Sequence, residues 1–401
     1  MKFGGTSVRN AERVKAAAAE IVETKKAGNH VVVVVSAPGD MTDDLIERAK
    51  EITSDPDGRE MDMLLATGEQ VSIALLCMAI KTLGIDAISL TGPQAGIEAD
   101  HVHTKARIKT IKPVKILKEL AQNRAVVVAG FQGLNSNDDI TTLGRGGSDL
   151  TAVALAAALK SKVCEIYTDV EGVYTADPRL VEDAQKVEQI SYDEMLELAG
   201  SGSQVMQARS IEVAKKYGVK IHVRSSLVKK KGTMIVSEAK GMETPVVSGV
   251  AYDKNEAKVS VTEVPDQPGV AAAIFGALAN DSINVDMIIQ SSAENGTNSI
   301  SFTVSRNDLK RALVLLESVA KKLGAKQVLA DADVAKVAIV GVGMRSHPGV
   351  AAKMFATLAD AGINLEMIST SEIKVACIVK ESDGQKAVKI LHKAFGLGSA
   401  A

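Results

Sequence analysis

Thr142-Leu143-Gly144-Arg145-Gly146-Gly147-Ser148-Asp149 is the stretch on which the reading of this chain turns. Ahead of it lies the apolar run Val126-Val127-Val128-Ala129-Gly130-Phe131, which reads as a buried strand. Behind it residues 150–159, rich in Ala and Leu, read as a helix. The glycines therefore fall in a turn just before a helix N-terminus, where unpaired N–H groups and the helix dipole favour an anion. Gly146 and Gly147 lack a Cβ, so the main chain can approach a ligand closely. Arg145 adds a planar fork suited to a carboxylate or phosphate. The same residues also read as a plain Gly-Gly loop with Ser148 or Asp149 as an N-cap; on this stretch alone the two readings stand level. A second glycine turn, Lys2-Phe3-Gly4-Gly5-Thr6-Ser7, tips the balance toward a ligand.

Working outward, Asn10 is placed to cap a helix whose buried face carries Val14, Ala17, Ala18, Ile21 and Val22. Gly28-Asn29 ends it, and residues 31–35, all valine, read as a buried strand. Ser36-Ala37-Pro38-Gly39 then lies at a strand's C-terminal end, where open α/β sheets bind ligands. Thr42 is placed to cap the next helix. Residues 61–90 hold a helix with Thr67-Gly68-Glu69-Gln70, then a strand over 86–90. Glu69 sits among Leu64, Leu65, Val71 and Ile73; a carboxylate there either has a partner or lies on a solvated helix face. A turn over 91–96 follows, then a helix within 108–123, a strand over 164–169 and a loop over 172–179. Helices through Met195 and up to Tyr217, and a strand over 220–223, complete the first half. This alternation argues a three-layer α/β domain with a mostly parallel sheet. No G-x-x-x-x-G-K-[ST] occurs, and no G-x-G-x-x-G follows a strand, so the remaining inference is a phosphate held by scattered glycine turns and Lys2.

The 401-residue length suggests two to three domains, and 46% hydrophobic residues suffice for several cores. With aromatics at 3% and no Trp, aliphatic side chains must do the packing. A net charge of −2 without a long basic run argues against nucleic acid as a partner. No apolar segment reaches about 18 residues free of charge, which argues against a membrane span, and the N-terminus has no signal-peptide core. Cys77, Cys164 and Cys377 read as reduced core thiols. The histidines show no metal-ligand spacing, and His101-Val102-His103 reads as a solvated loop, so no protein-held metal is expected. Together these features point to a cytoplasmic globular protein.

Five motifs occur in order: Lys2-Phe3-Gly4-Gly5-Thr6-Ser7-Val8, Thr67-Gly68-Glu69, Gly130-Phe131-Gln132-Gly133, Leu143-Gly144-Arg145-Gly146-Gly147-Ser148-Asp149 and residues 167–179, Tyr167-Thr168-Asp169 through Tyr174-Thr175-Ala176-Asp177-Pro178-Arg179. Together they resemble the aspartate kinases of the amino-acid-kinase fold. The resemblance implies an α/β/α catalytic domain over 1–237 that phosphorylates the β-carboxylate of L-aspartate from ATP, giving 4-phospho-aspartate. It implies that Lys2 neutralises the transferring phosphoryl group, with Phe3, Gly4 and Gly5 around it, Asp149 in the catalytic set and Ser36 near the phosphates. Thr42, Glu69 and Arg145 would hold aspartate, Glu69 by its ammonium and Arg145 by a carboxylate, with Gly146, Gly147 and Ser148 lining the pocket. Thr168, Asp169, Tyr174, Thr175, Ala176, Asp177, Pro178 and Arg179 would hold the nucleotide, with Gln204 at a position where many relatives carry Lys. A carboxylate is already a nucleophile, so positioning and charge neutralisation carry the catalysis, with Mg²⁺ bridging phosphates. Relatives carry several apolar residues, forming the first strand, ahead of the Lys2 motif where only Met1 stands, so a truncated start is expected here, and no fused dehydrogenase is expected after the second repeat. The alternatives are another kinase of the same fold and a non-catalytic amino-acid sensor.

Residues 238–258 read as a linker and entry segment; beyond it the chain repeats. Pro268-Gly269-Val270-Ala271-Ala272 recurs as Pro348-Gly349-Val350-Ala351-Ala352, and Ile283-Asn284-Val285-Asp286-Met287-Ile288 as Ile363-Asn364-Leu365-Glu366-Met367-Ile368, both 80 residues on. Each copy reads as a ferredoxin-like βαββαβ unit, over 259–335 and 336–401. The copies resemble ACT domains. The resemblance implies effector contacts by Asp266, Asn284, Val285, Asp286 and Gln290 in the first and by Val350, Ala351, Asn364, Leu365, Ser371 and Glu372 in the second. Acids suit an ammonium, and N–H groups after the two Pro-Gly turns suit a carboxylate. Lysine and threonine are the expected effectors. The expected assembly is a homodimer or tetramer, or a heterotetramer with a regulatory chain started at Met242.

Overall fold

The computed structural model describes residues 1–203, 205–238, 246–292 and 296–398. The chain forms two compact units. The first comprises Met1–Val173, Lys186–Ala199 and Gln204–Gly241; the second comprises Tyr174–Gln185, Gly200–Ser203 and Met242–Ala401.

In the first unit an eight-stranded sheet runs in the order Gln189–Ser191, Thr233–Val236, Ile221–Ser225, Cys164–Thr168, Lys2–Phe3, Val32–Val35, Ala125–Ala129, Ala87–Leu90. Neighbours are parallel except Ile221–Ser225 with Thr233–Val236. Strands covered on both faces must be apolar on both, and every residue of Ala125–Ala129 is buried. On one face Val33, Val35, Val127 and Ala129 meet Val14, Ala18 and Ile21 of the helix Ala11–Lys26 and Ile73, Leu76 and Ile80 of the helix Gly58–Thr82. The helix Gly147–Ala158 packs on the other face, completing three layers. The first strand is only two residues long, yet it lies mid-sheet: Lys2 pairs with Val34 and Ile166, Phe3 with Val35 and Tyr167. Met1 contributes its α-amino group to Val32 O at 2.9 Å, and burial lowers that amine's pKa.

Asn10 caps its helix as expected, accepting from Arg13 N at 3.0 Å. Thr42 is no cap: the helix Met41–Ile52 begins one residue before it. Nor is Ser148 or Asp149, because Gly146 occupies the N-cap at φ +71°. Residues 108–123 hold the strand Ile108–Ile111 ahead of the helix Val114–Ala121; with Ile97–Ala99, Gln132–Leu134 and Ile140–Thr142 that strand makes a small second sheet. The helix Gly58–Thr82 is long and apolar enough to cross a membrane, but half of its most apolar window is buried within the protein and Glu69 lies inside it. All three cysteines are buried and free, and burial pushes their thiols up to about 11 for Cys77 and Cys164 and about 12 for Cys377. The basic turn Lys229-Lys230-Lys231 is neutralised locally by Glu23, Glu171 and Glu188, at 2.6, 2.9 and 3.0 Å.

The second unit is built on a six-stranded antiparallel sheet, ordered Ile288–Ser292, Thr297–Ser305, Gly249–Pro265, Gln327–Val340, Lys374–Lys380, Met367–Thr370. The two long central strands each serve both repeats. Val259 pairs with Ala330 in the first module, whereas Val250 pairs with Ile339 in the second. The fourth strand of the second module therefore comes from residues 249–253, which the sequence reading gives to the linker. Residues 336–398 alone supply β-α-β-β-α. Each module has its own core. Ile274, Leu278, Phe302 and Leu316 centre the first, and Val337, Ile339, Met354, Leu358 and Leu391 the second.

Candidate active site

The short first strand delivers Lys2 and the turn after it to the C-terminal edge of the sheet. Lys2 Nζ lies 2.7 Å from Asp149 Oδ1, each side chain only 11% exposed. The pair ties the opening turn to the helix Gly147–Ala158. The turn is also laced to the loop after the next strand, through Ser36 N to Phe3 O at 3.2 Å and Gly39 N to Gly5 O at 3.1 Å. A Cβ on Gly5 would lie 2.8 Å from Ala37 O and 3.1 Å from Gly39 O, so only glycine permits this approach. A Cβ on Gly4 would stand 3.6 Å from Lys2 Nζ, so glycine keeps the way to that ammonium open.

Glu69 enters from the helix Gly58–Thr82, which lies so close that a Cβ on Gly68 would be 2.7 Å from Ala37 Cβ. Glu69 is 3% exposed, and its Oε1 accepts from Ala37 N at 3.1 Å. Its Oε2 has no partner among the described residues. Burial pushes its carboxyl up to about 8. A buried carboxylate with one oxygen unmatched is costly unless a cation completes it. The solvated-face alternative for Glu69 is thereby excluded.

The glycine turn over 143–147 is held by side chains from residues 207 and 209. Gly144 and Gly146 take φ of +77° and +71°. Gln207 donates through Nε2 to Arg145 O, and Arg209 donates to Leu143 O at 2.8 Å and Ala106 O at 2.9 Å. The Arg145 side chain is exposed, with no ion partner among the described residues. Gly147 has a packing role: a Cβ there would lie 2.8 Å from Leu143 Cβ and 3.0 Å from Phe131. Ser148 is buried against Gly130, whose Cβ would fall 2.7 Å from Ser148 Oγ. Thr42 and Ser36 are half-buried.

Asp62 escaped the sequence reading. It is fully buried and accepts from Thr142 Oγ1 at 2.5 Å and Thr104 N at 3.0 Å, with His103 Nδ1 2.7 Å from its other oxygen. It ties the strand leading into the glycine turn to the loop at 103–104. Its signal was available: Asp62 and Glu69 are seven residues apart, two turns along one face of an otherwise apolar helix. Gln132, also fully buried, donates to Ala66 O at 3.0 Å and accepts from Gly92 N at 3.3 Å.

The expected nucleotide residues fall on both units. Thr168 and Asp169 close the strand Cys164–Thr168 in the first, with Thr168 Oγ1 donating to Asp169 at 3.0 Å. Residues 174–179 belong to the second. There Thr175 Oγ1 meets His392 Nε2 at 2.9 Å and Leu397 O at 3.1 Å, and Ala176 packs in the core with Val181 and Leu391. Arg179 grips Asp177 at 2.7 Å and holds that carboxyl below its ordinary range. Tyr174 is half-buried and Pro178 exposed. Gln204 lies outside the described residues.

Among the effector candidates, Asp266, Asn284, Asp286 and Gln290 are exposed and Val285 half-buried. Asp266 Oδ1 accepts from Asn298 at 2.9 Å. In the second copy Asn364, Ser371 and Glu372 are exposed, Val350, Ala351 and Leu365 half-buried, and Glu372 pairs with Arg345 at 3.0 Å. The helices Val270–Asn280 and Val350–Asp360 start directly after Gly269 and Gly349, both left-handed, with no side chain capping their N–H groups.

Comparison with known proteins identifies the family. The model of the amino acid kinase family matches residues 1–225, and the ACT domain model matches 259–319 and 337–395. The chain belongs to the amino acid kinase family and, within it, to the aspartate kinases. It is 50% identical to the aspartokinase of Mycolicibacterium smegmatis, over 99% of this chain and 96% of that one. It is likewise 50% identical to the aspartate kinase of Pseudomonas putida, over 100% and 98%. Its fold resembles that of E. coli aspartokinase III, solved with aspartate and ADP, with a TM-score of 0.85 at 24% identity over 98% of each chain.

Proposed function

We propose that this enzyme transfers the γ-phosphoryl group of ATP to the β-carboxylate of L-aspartate, and that lysine, threonine or both inhibit it at the ACT modules. The observation that carries the substrate assignment is the half-satisfied Glu69, a buried carboxylate awaiting an ammonium. Arg145, exposed and without an ion partner among the described residues, takes the α-carboxylate, which leaves the β-carboxylate to face Lys2. No base is needed to activate it, so the catalytic task is alignment and neutralisation of charge on the phosphoryl oxygens. Lys2 supplies that charge, and Asp149 fixes its ammonium. Gly4 keeps the space beside the Lys2 ammonium free of a side chain, so phosphate oxygens can approach it.

Among the described residues no cluster of three metal-ligating side chains exists. The reading takes Mg²⁺ with ATP, an ion held by one or two carboxylates and completed by phosphates and water. Asp149, in the first turn of its helix, and Asp169, just after a strand end, would be the carboxylates that hold it. When bound, the ion neutralises phosphate charge. By the family resemblance Thr168, Asp169 and residues 174–179 are the nucleotide residues of this reading. The assembly proposed is a homodimer or tetramer, or a heterotetramer with a regulatory chain begun at Met242. ADP release measured over a panel of acceptors (aspartate, glutamate, acetylglutamate, carbamate, UMP) tests the reading. Preference for any acceptor other than aspartate would refute it, and effector binding without turnover would favour a sensor.

A further inference from the structure

Asp62 sits fully buried on the helix Gly58–Thr82 and takes no part in the chemistry above. Oδ1 accepts from Thr142 Oγ1 at 2.5 Å and from Thr104 N at 3.0 Å. Oδ2 accepts from Thr104 N at 3.1 Å and lies 2.7 Å from His103 Nδ1. A buried carboxylate persists only where donors surround it in this way. These donors share one feature: they border the entry to the turn that carries Arg145.

Thr142 ends the strand Ile140–Thr142, three residues before Arg145. Thr104 stands at φ +65°, a left-handed conformation that a β-branched residue takes only when its surroundings impose it. Here both oxygens of Asp62 hold its N–H. The Thr104 carbonyl is thereby set against the turn, since a Cβ on Gly144 would lie 3.2 Å from it. Ala106 N donates to Thr142 O at 2.9 Å, so residues 104–106 strap the entry on the side chain and main chain alike. The carbonyls of Leu143 and Arg145 are held by Arg209 and Gln207.

The helix that supplies Asp62 also supplies Glu69, seven residues and about 10 Å further along its axis. Asp62 grips the Arg145 turn, while Glu69 grips Ala37 N at 3.1 Å. One rigid helix therefore fixes the acid that takes the substrate ammonium relative to the turn that takes its α-carboxylate. We infer that Asp62 is a positioning residue that determines specificity: by clamping the Arg145 turn against Glu69 it fixes the α-end of the substrate, so that the β-carboxylate of aspartate lands at the phosphoryl group. The side-chain carboxylate of glutamate, one methylene longer, overshoots that point. A loosened turn lets the α-end slide back and admits the longer acid. The inference rests on the substrate reading of Glu69 and Arg145 given above.

The test uses the full chain with Asp62→Asn, Thr142→Val, which keeps the shape but removes the hydroxyl, and Thr142→Ser, which keeps the hydroxyl. ADP release gives kcat and KM for aspartate, the KM for ATP, and kcat/KM for glutamate. Asp62→Asn and Thr142→Val should raise the aspartate KM by about tenfold and leave the ATP KM within about twofold. Both should raise the use of glutamate relative to aspartate by at least about fivefold, within what one methylene can decide. Thr142→Ser should return both quantities close to wild type. No gain in relative glutamate use, an ATP KM that rises as much as that for aspartate, or a Thr142→Ser that behaves as Thr142→Val overturns the proposal. Should Asp62→Asn not fold, the two Thr142 variants decide alone. Arg145→Ala separates the levels. If it leaves the aspartate KM unchanged, the substrate reading fails and the gauge with it. If it raises that KM while Thr142→Val does not, the gauge alone fails.

Discussion

Replacing Glu69 by Gln isolates the physics of the substrate pocket. With its folded pKa at about 8, the carboxyl is roughly nine-tenths protonated at pH 7 in the free enzyme. Aspartate must find it ionised, because only the carboxylate matches an ammonium. Binding therefore expels close to one proton at pH 7, and the aspartate KM should fall by up to about tenfold per pH unit between pH 6 and 8, then level off. Stability runs the other way. A carboxyl whose folded pKa is raised leaves the free protein penalised as pH climbs from the unfolded value toward 8, by on the order of 4–5 kcal/mol once fully ionised. Gln carries no such charge. Glu69→Gln should thus raise the melting temperature of the free enzyme at pH 8.5 and flatten the pH dependence of the aspartate KM. It should weaken aspartate by about 1.5–3 kcal/mol at pH 8, roughly 10- to 150-fold in KM, as expected for a buried hydrogen bond to a charged group. The assays are initial rates from pH 6 to 8.5, and calorimetry in buffers of different ionisation enthalpy to count protons. A wild-type KM that ignores pH, or a variant that weakens ATP as much as aspartate, would refute the reasoning.

Three further outcomes follow from the same site. Arg145→Ala should raise the aspartate KM by about 10- to 100-fold with little change for ATP, read from two-substrate kinetics; equal effects would remove it from the substrate pocket. Lys2→Ala should lower kcat by about 10²- to 10³-fold, as for loss of one preorganised donor to developing charge, and an unchanged single-turnover rate would exclude it from the phosphoryl site. Gly5→Ala forces a Cβ to within 2.8 Å of Ala37 O; it should cost about 1–3 kcal/mol in chemical denaturation and depress kcat. Full stability with normal turnover would show that the two loops do not need that closeness.

What was legible in the sequence had a strong local cause. Parallel strands buried on both faces leave continuous apolar runs, as at 31–35 and 125–129, and the glycine turns stand at their ends. The tandem modules were legible because Pro-Gly and Ile-Asn recur at a fixed spacing. The short strands Ile97–Ala99, Gln132–Leu134 and Ile140–Thr142 were not, since three residues carry too little alternation to be told from a loop. Thr42 reads as a cap because a hydroxyl near a helix start is a common signal, but in the fold Asp40 occupies that position. The membership of 174–185 and 200–203 in the second unit, and the pairing of 249–253 with the second module, depend on partners fifty or more residues away. No local pattern encodes such pairings.

The borrowed fourth strand also sets where this chain can be divided. A polypeptide begun at Met242 would inherit every strand of the regulatory sheet, because the loan from Gly249 onward travels with it. One begun after Tyr252 would leave Val337 and Ile339 without their neighbour and turn an interior edge into an open one. Gene-splitting or truncation work on this protein thus has a narrow window for its cut, and the window closes a few residues upstream of the sequence repeat that would otherwise seem to mark the boundary.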